Sequence, residues 1–197
     1  RMGSTRLPGK VIKKVSGIPL LLFQYRRLAL SKLADKIVIA TSTSPNDLPI
    51  EKLCLENSIS YFKGSESDVL KRYCDAAFFF KAKIIVRINA DCPLIDPIVV
   101  DKVISAFVSS QPEIDYASNI LEETFPTGMH VEVFSLAAIE KASEKSNKLD
   151  EREHVTPYIY RNPSLFKLLS ITNSRDLSMY RWTVDYEEDL EFISQII

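Results

Sequence analysis

The sequence predicts a single α/β domain built around a mostly parallel sheet, and three features predict it. Apolar periodicity alternates between helix and strand from Leu21 to Phe107. The strands in that half are short continuous apolar runs, such as Ile37 to Ala40 and Ile84 to Ile88, the pattern of strands covered on both faces. At 197 residues, 46% hydrophobic and 26% charged, the chain is long enough to bury one substantial core. Repeated strand–helix units imply parallel pairing with right-handed crossovers.

Taken in order, residues 19–33 carry Leu21, Leu22, Tyr25, Leu28 and Ala29 on one helical face, followed by the strand at Ile37. Ile50, Leu53 and Cys54 mark a second helix, and Ile59 to Phe62 a second strand. Val69, Leu70, Tyr73, Cys74, Ala77 and Phe80 form the best helical stripe in the sequence. Ser65 with Asp68 three residues on resembles a capping box for it, and Ser67 is a competing cap. After the strand 84–88, Asp96-Pro97 supplies an N-cap and a first-turn proline to a helix running through Val100, Val103, Ile104 and Phe107. The second half changes character. Short strands at Tyr116–Ser118, Val131–Phe134, Leu165–Ile171 and Tyr180–Thr183 alternate with longer loops and with helices near 135–146 and 187–197. This predicts a small antiparallel excursion inside one domain, 1–197. Arg1 begins inside a functional-looking loop and Ile197 ends inside a helical pattern, so a preceding first strand and a further C-terminal helix end are expected outside these residues.

Charge and composition exclude several classes. Twenty-five basic against 26 acidic residues leave a net charge of -1, without the basic excess of a nucleic-acid binder. No apolar run approaches the ~18 residues of a membrane span. Cys54, Cys74 and Cys92 are odd in number and scattered, which fits neither a disulfide framework nor a zinc site and points to a cytoplasmic protein.

Three segments carry chemistry. Arg1 to Lys10 concentrates two glycines (Gly3, Gly9), three cations (Arg1, Arg6, Lys10) and the hydroxyls of Ser4 and Thr5. Glycine lets backbone N–H groups approach phosphate oxygens, and the cations neutralise them. It is not a Walker A loop, because five residues separate Gly3 from Gly9 and Val11 replaces the hydroxyl residue. Composition alone leaves a basic surface turn as the alternative. Asp91, in Asn89-Ala90-Asp91-Cys92-Pro93, follows a predicted parallel strand at the end where open α/β sheets bind ligands. It is a candidate magnesium ligand or an Asp of a strand-to-helix turn. Asp185 precedes the acidic helix start Glu187-Glu188-Asp189 and is either a metal ligand or an N-cap. Arg152, Glu153 and His154 form a charged run readable as a general-base site or as a solvated helix start. Asn119, Phe125, Gly128, His130 and Glu132 line a sugar site or a strand edge, with His130 and Glu132 on one face of a strand.

Together these residues resemble the sugar-acid cytidylyltransferases, the group that makes CMP-Kdo and CMP-sialic acid, and within it the spore coat polysaccharide biosynthesis protein F family. The resemblance runs through Arg1–Lys10, Gly64–Tyr73, Arg87–Pro97, Phe125–Phe134, Arg152–Tyr158 and Arg181–Asp185. It implies a three-layer α/β/α fold of the nucleotide-diphospho-sugar transferase type and a homodimer. It implies that Arg6 and Lys10, with backbone around Gly3 and Ser4, bind a triphosphate, and that Asp91 and Asp185 hold Mg2+. Thr41, Ser42, Ser67, Asp68 and Arg72 would contact base or ribose, while Phe125–Glu132 and Arg152–His154 would face the sugar. The family usually has Asp where His130 stands and Thr where Asn89 stands. The implied reaction is attack of a hydroxyl of a sugar, expected to be a sugar acid, on the α-phosphate of CTP in surface polysaccharide biosynthesis. The alternatives are a glycosyltransferase of the same fold, against which Asp91-Cys92-Pro93 lacks an Asp-x-Asp pair, and a non-catalytic sugar-nucleotide-binding protein.

Overall fold

In the computed structural model, which describes residues 1–197, the first regular element is a short antiparallel hairpin. Its strands β1 (Lys14–Val15) and β2 (Ile18–Pro19) are joined by Ser16 and Gly17. Both loop residues have positive φ, 50° and 80°, as a tight two-residue hairpin turn requires. Helix α1 (Leu20–Leu28) follows directly and buries Leu20, Leu21 and Leu22. Strand β3 (Ile39–Ser42), α2 (Leu48–Glu56) and β4 (Tyr61–Gly64) then form a parallel β-α-β unit, with Ile39 opposite Tyr61 and Ser42 opposite Gly64.

Helix α3 (Val69–Phe79) starts where Asp68 accepts the Lys71 N–H, so Asp68 caps it; Ser65 accepts the Asp68 N–H one turn earlier. Strand β5 (Ile84–Arg87) leads to α4 (Pro97–Ser109), capped by Asp96 through the Ile98 N–H as the Asp-Pro pair predicts. Then come β6 (Tyr116–Ser118), β7 (Glu132–Ser135), α5 (Leu136–Lys145), α6 (Leu149–His154), α7 (Pro157–Tyr160), β8 (Leu168–Ser170) and α8 (Glu187–Ile196). The expected strand at Tyr180–Thr183 is reduced to one bridge between Thr127 and Arg181, and α7 is a short helix that periodicity missed.

The third, four-stranded sheet has the order β5-β7-β6-β8. Strand β7 runs antiparallel to both β5 and β6, while β6 and β8 are parallel. One reversed strand therefore makes this sheet mixed, and it is the antiparallel excursion expected for the second half. Register fixes the layers. Ile85, Phe134 and Tyr116 stand opposite one another and pack against α3, α5 and α7. Their chain neighbours Val86, Val133 and Ala117 point through the sheet onto α4. Helices cover both faces because successive strand residues alternate sides, which gives the three-layer α/β/α arrangement.

Candidate active site

The N-terminal loop lies over the carboxyl end of β5, fastened by two apolar plugs. Leu7 sinks among Leu20, Val184, Leu190 and Ile193, and Val11 among Leu21, Ile50 and Ile59. Lys10, between the plugs, is thereby aimed inward. Its Nζ donates to Asp91 Oδ2 at 2.7 Å, to the Val184 carbonyl at 2.8 Å and to Asp185 Oδ1 at 3.0 Å. Two carboxylates far apart in the sequence thus converge on one ammonium. Arg6 adds a second cation on Asp185 Oδ1 at 2.7 Å, and Arg181 a third on Oδ2 at 3.0 Å. Burial acts to raise the Asp185 carboxyl, but the hydrogen bond and charge of Lys10, with Arg181 and Arg6, hold it below the usual carboxylate range.

The backbone joins the two acidic turns. The Val184 N–H and the Thr183 hydroxyl both donate to the Asp91 carbonyl, at 2.9 and 3.1 Å. Asp185 itself does not cap α8. Asp189 does that work, accepting the N–H groups of Asp185 and Tyr186 and pairing with Arg181. This excludes the N-cap role for Asp185 and leaves its carboxylate at the cleft.

The cleft measures about 570 Å³ and takes in Arg1, Gly3, Ser4, Arg6, Lys10, Arg72, Glu153, His154, Asp91 and Asp185 from the candidate residues. Within the loop the N–H groups of Gly3, Thr5 and Arg6 find no acceptor in the chain and are free for an anion. Arg1 closes the rim through Glu153 at 2.6 Å.

Other candidates sit elsewhere. Thr41 and Ser42 are buried and donate to Asp47, which the sequence reading missed; Asp47 also accepts the Met2 N–H at 2.7 Å and so ties the loop to β3. Ser67 is exposed, and Asp68 pairs with Arg152 while capping α3. Asn119 is fully buried and bonds both the Met129 carbonyl and the Val131 N–H, acting as a strand partner for the segment before β7. Phe125 belongs to the core beneath α4. Gly128, at φ 104°, lies against the backbone of Trp182 and Thr183, where a Cβ would stand 2.8 Å from the Trp182 carbonyl carbon. His130 does not line the cleft, and burial lowers its imidazole from the ordinary value.

Glu132 is buried and serves as a hub, not as an exposed sugar contact. It accepts from the Tyr116 hydroxyl at 2.8 Å, from the Thr156 hydroxyl and from the Arg87 guanidinium. Thr156 follows Val155, whose φ of 75° and ψ of −59° with the Thr156 N–H on the His154 carbonyl make a strained three-residue turn. The bond from Thr156 to Glu132 and the burial of Val155 hold that turn, which sets Glu153 and His154 at the cleft edge. No group of three or more His, Cys, Asp or Glu side chains converges on a point. The donor set is two carboxylates, which suits an ion that completes its shell with phosphate oxygens and water, as magnesium does.

A family profile described as cytidylyltransferase matches residues 1–196. The chain belongs to the cytidylyltransferase family. Spore coat polysaccharide biosynthesis protein SpsF of Bacillus subtilis is 31% identical over 206 residues, covering 100% of this chain and 82% of that protein. The 3-deoxy-manno-octulosonate cytidylyltransferase of Chlamydia trachomatis serovar A is 30% identical over 131 residues, covering 64% of this chain and 49% of the relative. A solved cytidylyltransferase from Leptospira borgpetersenii superposes with a TM-score of 0.94 at 39% identity, covering 98% of this chain and 82% of that one. Family membership selects nucleotidyl transfer over the glycosyltransferase reading and confirms the fold type that the motifs implied. No helix is long and apolar enough to cross a membrane.

Proposed function

We propose that this cytidylyltransferase joins the CMP part of CTP to a hydroxyl of a sugar acid in surface polysaccharide biosynthesis, with Mg2+ held by Asp91 and Asp185. The observation that carries the reading is the convergence of those two carboxylates on Lys10 beneath a cationic, glycine-containing loop. In transfer to the α-phosphate, charge builds on the phosphoryl oxygens and the departing pyrophosphate, so catalysis rests on positioning and electrostatics. The free N–H groups of Gly3, Thr5 and Arg6 bind the polyphosphate, and Lys10 and Arg6 bring positive charge to it. Asp91 and Asp185 would hold magnesium, which would supply further positive charge to the phosphate oxygens. Glu153 and His154, held by the Val155 turn, face the acceptor side of the cleft. The relative named for 3-deoxy-manno-octulosonate supports an acidic sugar as acceptor, and the one named for spore coat polysaccharide biosynthesis supports a role in surface polysaccharide. A homodimer in the cytoplasm completes the proposal, and light scattering tests the dimer.

A thermal-shift panel with CTP, UTP, GTP, ATP and dTTP, each with and without magnesium, tests the nucleotide. Binding at 100 times Kd stabilises by ~2.7 kcal/mol, which raises Tm by about 5–10 °C in a domain of this size. The expected result is a magnesium-dependent shift with CTP alone. No shift with any triphosphate refutes the reading. Asp185→Ala is expected to abolish pyrophosphate release while the fold persists; full magnesium-dependent activity in that variant removes Asp185 from the site.

A further inference from the structure

Five cations line the cleft against three carboxylates, and four of the five are paired. Arg1 meets Glu153, Arg6 meets Asp185, Lys10 meets Asp91 and Asp185, and Arg87 meets Glu132. Arg72 stands alone. It is only 5% exposed, its one hydrogen bond is from NH1 to the Ser65 carbonyl at 2.8 Å, and its Nε–H has no partner. Burial pushes its guanidinium below the usual value. A buried cation with no carboxylate in contact is costly unless something else in the site supplies negative charge. The position is also built for it: a Cβ on Gly64 would come within 2.7 Å of Arg72 Cγ, so the glycine makes room for the stem.

Arg87 shares the same wall. It too has a buried Nε–H with no partner, and its charge is balanced by Glu132, so it offers donor direction where Arg72 offers charge. Both guanidiniums act electrostatically on the Tyr73 hydroxyl, which lines the cleft beside them. The phosphate end is already furnished with Lys10, Arg6 and the free loop N–H groups, and the second pair lies on other elements, α3 and β5.

We propose that Arg72, for which the resemblance implied a base or ribose contact, instead forms with Arg87 a second anion-receiving subsite in the cleft, and that it takes the carboxylate of the acceptor sugar. Planar carboxylates match the guanidinium fork, and a neutral sugar leaves the Arg72 charge buried and unpaired. The inference deepens the proposed reaction by naming the residues that select an acid, and it rests on that reading for the identity of the acceptor.

Calorimetric binding of 3-deoxy-manno-octulosonate and of its methyl ester, on the wild-type chain and on Arg72→Met, tests it, with the Kd for CTP measured on both. The methionine variant keeps the buried stem and orphans no carboxylate. The wild type is expected to prefer acid over ester by at least ~10-fold, about one charge-assisted hydrogen bond. In Arg72→Met that preference falls to about twofold or less on the same scale, with CTP affinity kept, and Arg72→Lys recovers part of it. Equal binding of acid and ester by the wild type overturns the subsite, as does an acid preference that survives in Arg72→Met. A loss of CTP affinity with the acid preference intact assigns Arg72 to nucleotide phosphate and also overturns it. If the wild type binds no CTP, the nucleotidyl-transfer reading falls separately, since the acid-to-ester ratio is read without nucleotide. For Arg87 the double variant Arg87→Met with Glu132→Met avoids a buried unpaired carboxylate, and the same loss of acid preference is expected.

Discussion

Replacing Asp47 by Asn tests how the N-terminal loop is held. The Asp47 carboxylate is 3% exposed and accepts four hydrogen bonds, from the Met2 N–H, the Thr41 hydroxyl and both the N–H and hydroxyl of Ser42. Burial by itself raises the carboxyl, but these donors outweigh it and bring the group from 3.8 down to about 2. A carboxyl depressed in the folded state contributes stability that is complete above the unfolded value of 3.8 and is lost as the pH falls through about 2. The depression corresponds to ~2.5 kcal/mol at neutral pH and ~1.3 kcal/mol at pH ~3. Asparagine keeps the shape, loses the charge and turns an NH2 donor toward other donors. Urea unfolding of Asp47→Asn is therefore expected to show a deficit of ~2.5 kcal/mol at neutral pH, a fall in Tm of about 5–10 °C, and about half that deficit near pH ~3. A variant within ~0.5 kcal/mol of the wild type at neutral pH, the scatter of ordinary surface substitutions, refutes the anchoring role. So does a deficit that stays constant down to pH ~3.

Three further outcomes follow from the site. Lys10→Ala removes the ammonium between Asp91 and Asp185. It is expected to lower kcat by ~100-fold or more with a smaller change in KM for CTP, and steady-state pyrophosphate release distinguishes this from a pure KM effect, which would place Lys10 in ground-state binding. Gly128→Ala forces a side chain at φ 104° against the Trp182 carbonyl. A loss of ~1–3 kcal/mol is expected, together with reduced turnover because the displaced segment leads to Asp185; an unchanged Tm would show that this backbone yields freely. His130 is held below its ordinary 6.5 by burial, so the fold favours neutral imidazole. Its contribution is complete above that value and is lost as the pH falls below it, through the lowered folded value. His130→Asn is therefore expected to be relatively more stable at pH ~5.5 than at pH ~7.5, and parallel pH profiles for variant and wild type contradict this.

Much of this protein was legible residue by residue. Continuous apolar runs marked the buried strands because a strand covered on both faces needs apolar side chains on both. Asp96-Pro97 marked the start of α4 because a cap and a first-turn proline act within one turn of helix. The loop from Arg1 to Lys10 stood out as a candidate anion site because glycines, hydroxyls and cations were adjacent in the chain, and Asp91 and Asp185 stood out because each sits at a turn beside a regular element. Tertiary structure alone decided what those groups do together. Lys10 reaches Asp91 and Asp185 only because Leu7 and Val11 plug two different clusters on either side of it. Period-two alternation put His130 and Glu132 on one face, but the neighbouring strands decided that Glu132 meets Tyr116 and Arg87 inside the protein. Asp47 and the lone buried charge of Arg72 left no local signature, because the donors around the one and the missing partner of the other belong to distant segments. Local sequence sets conformation and chemical type; which charges are buried, and beside what, is fixed by contacts between elements that only the folded chain brings together.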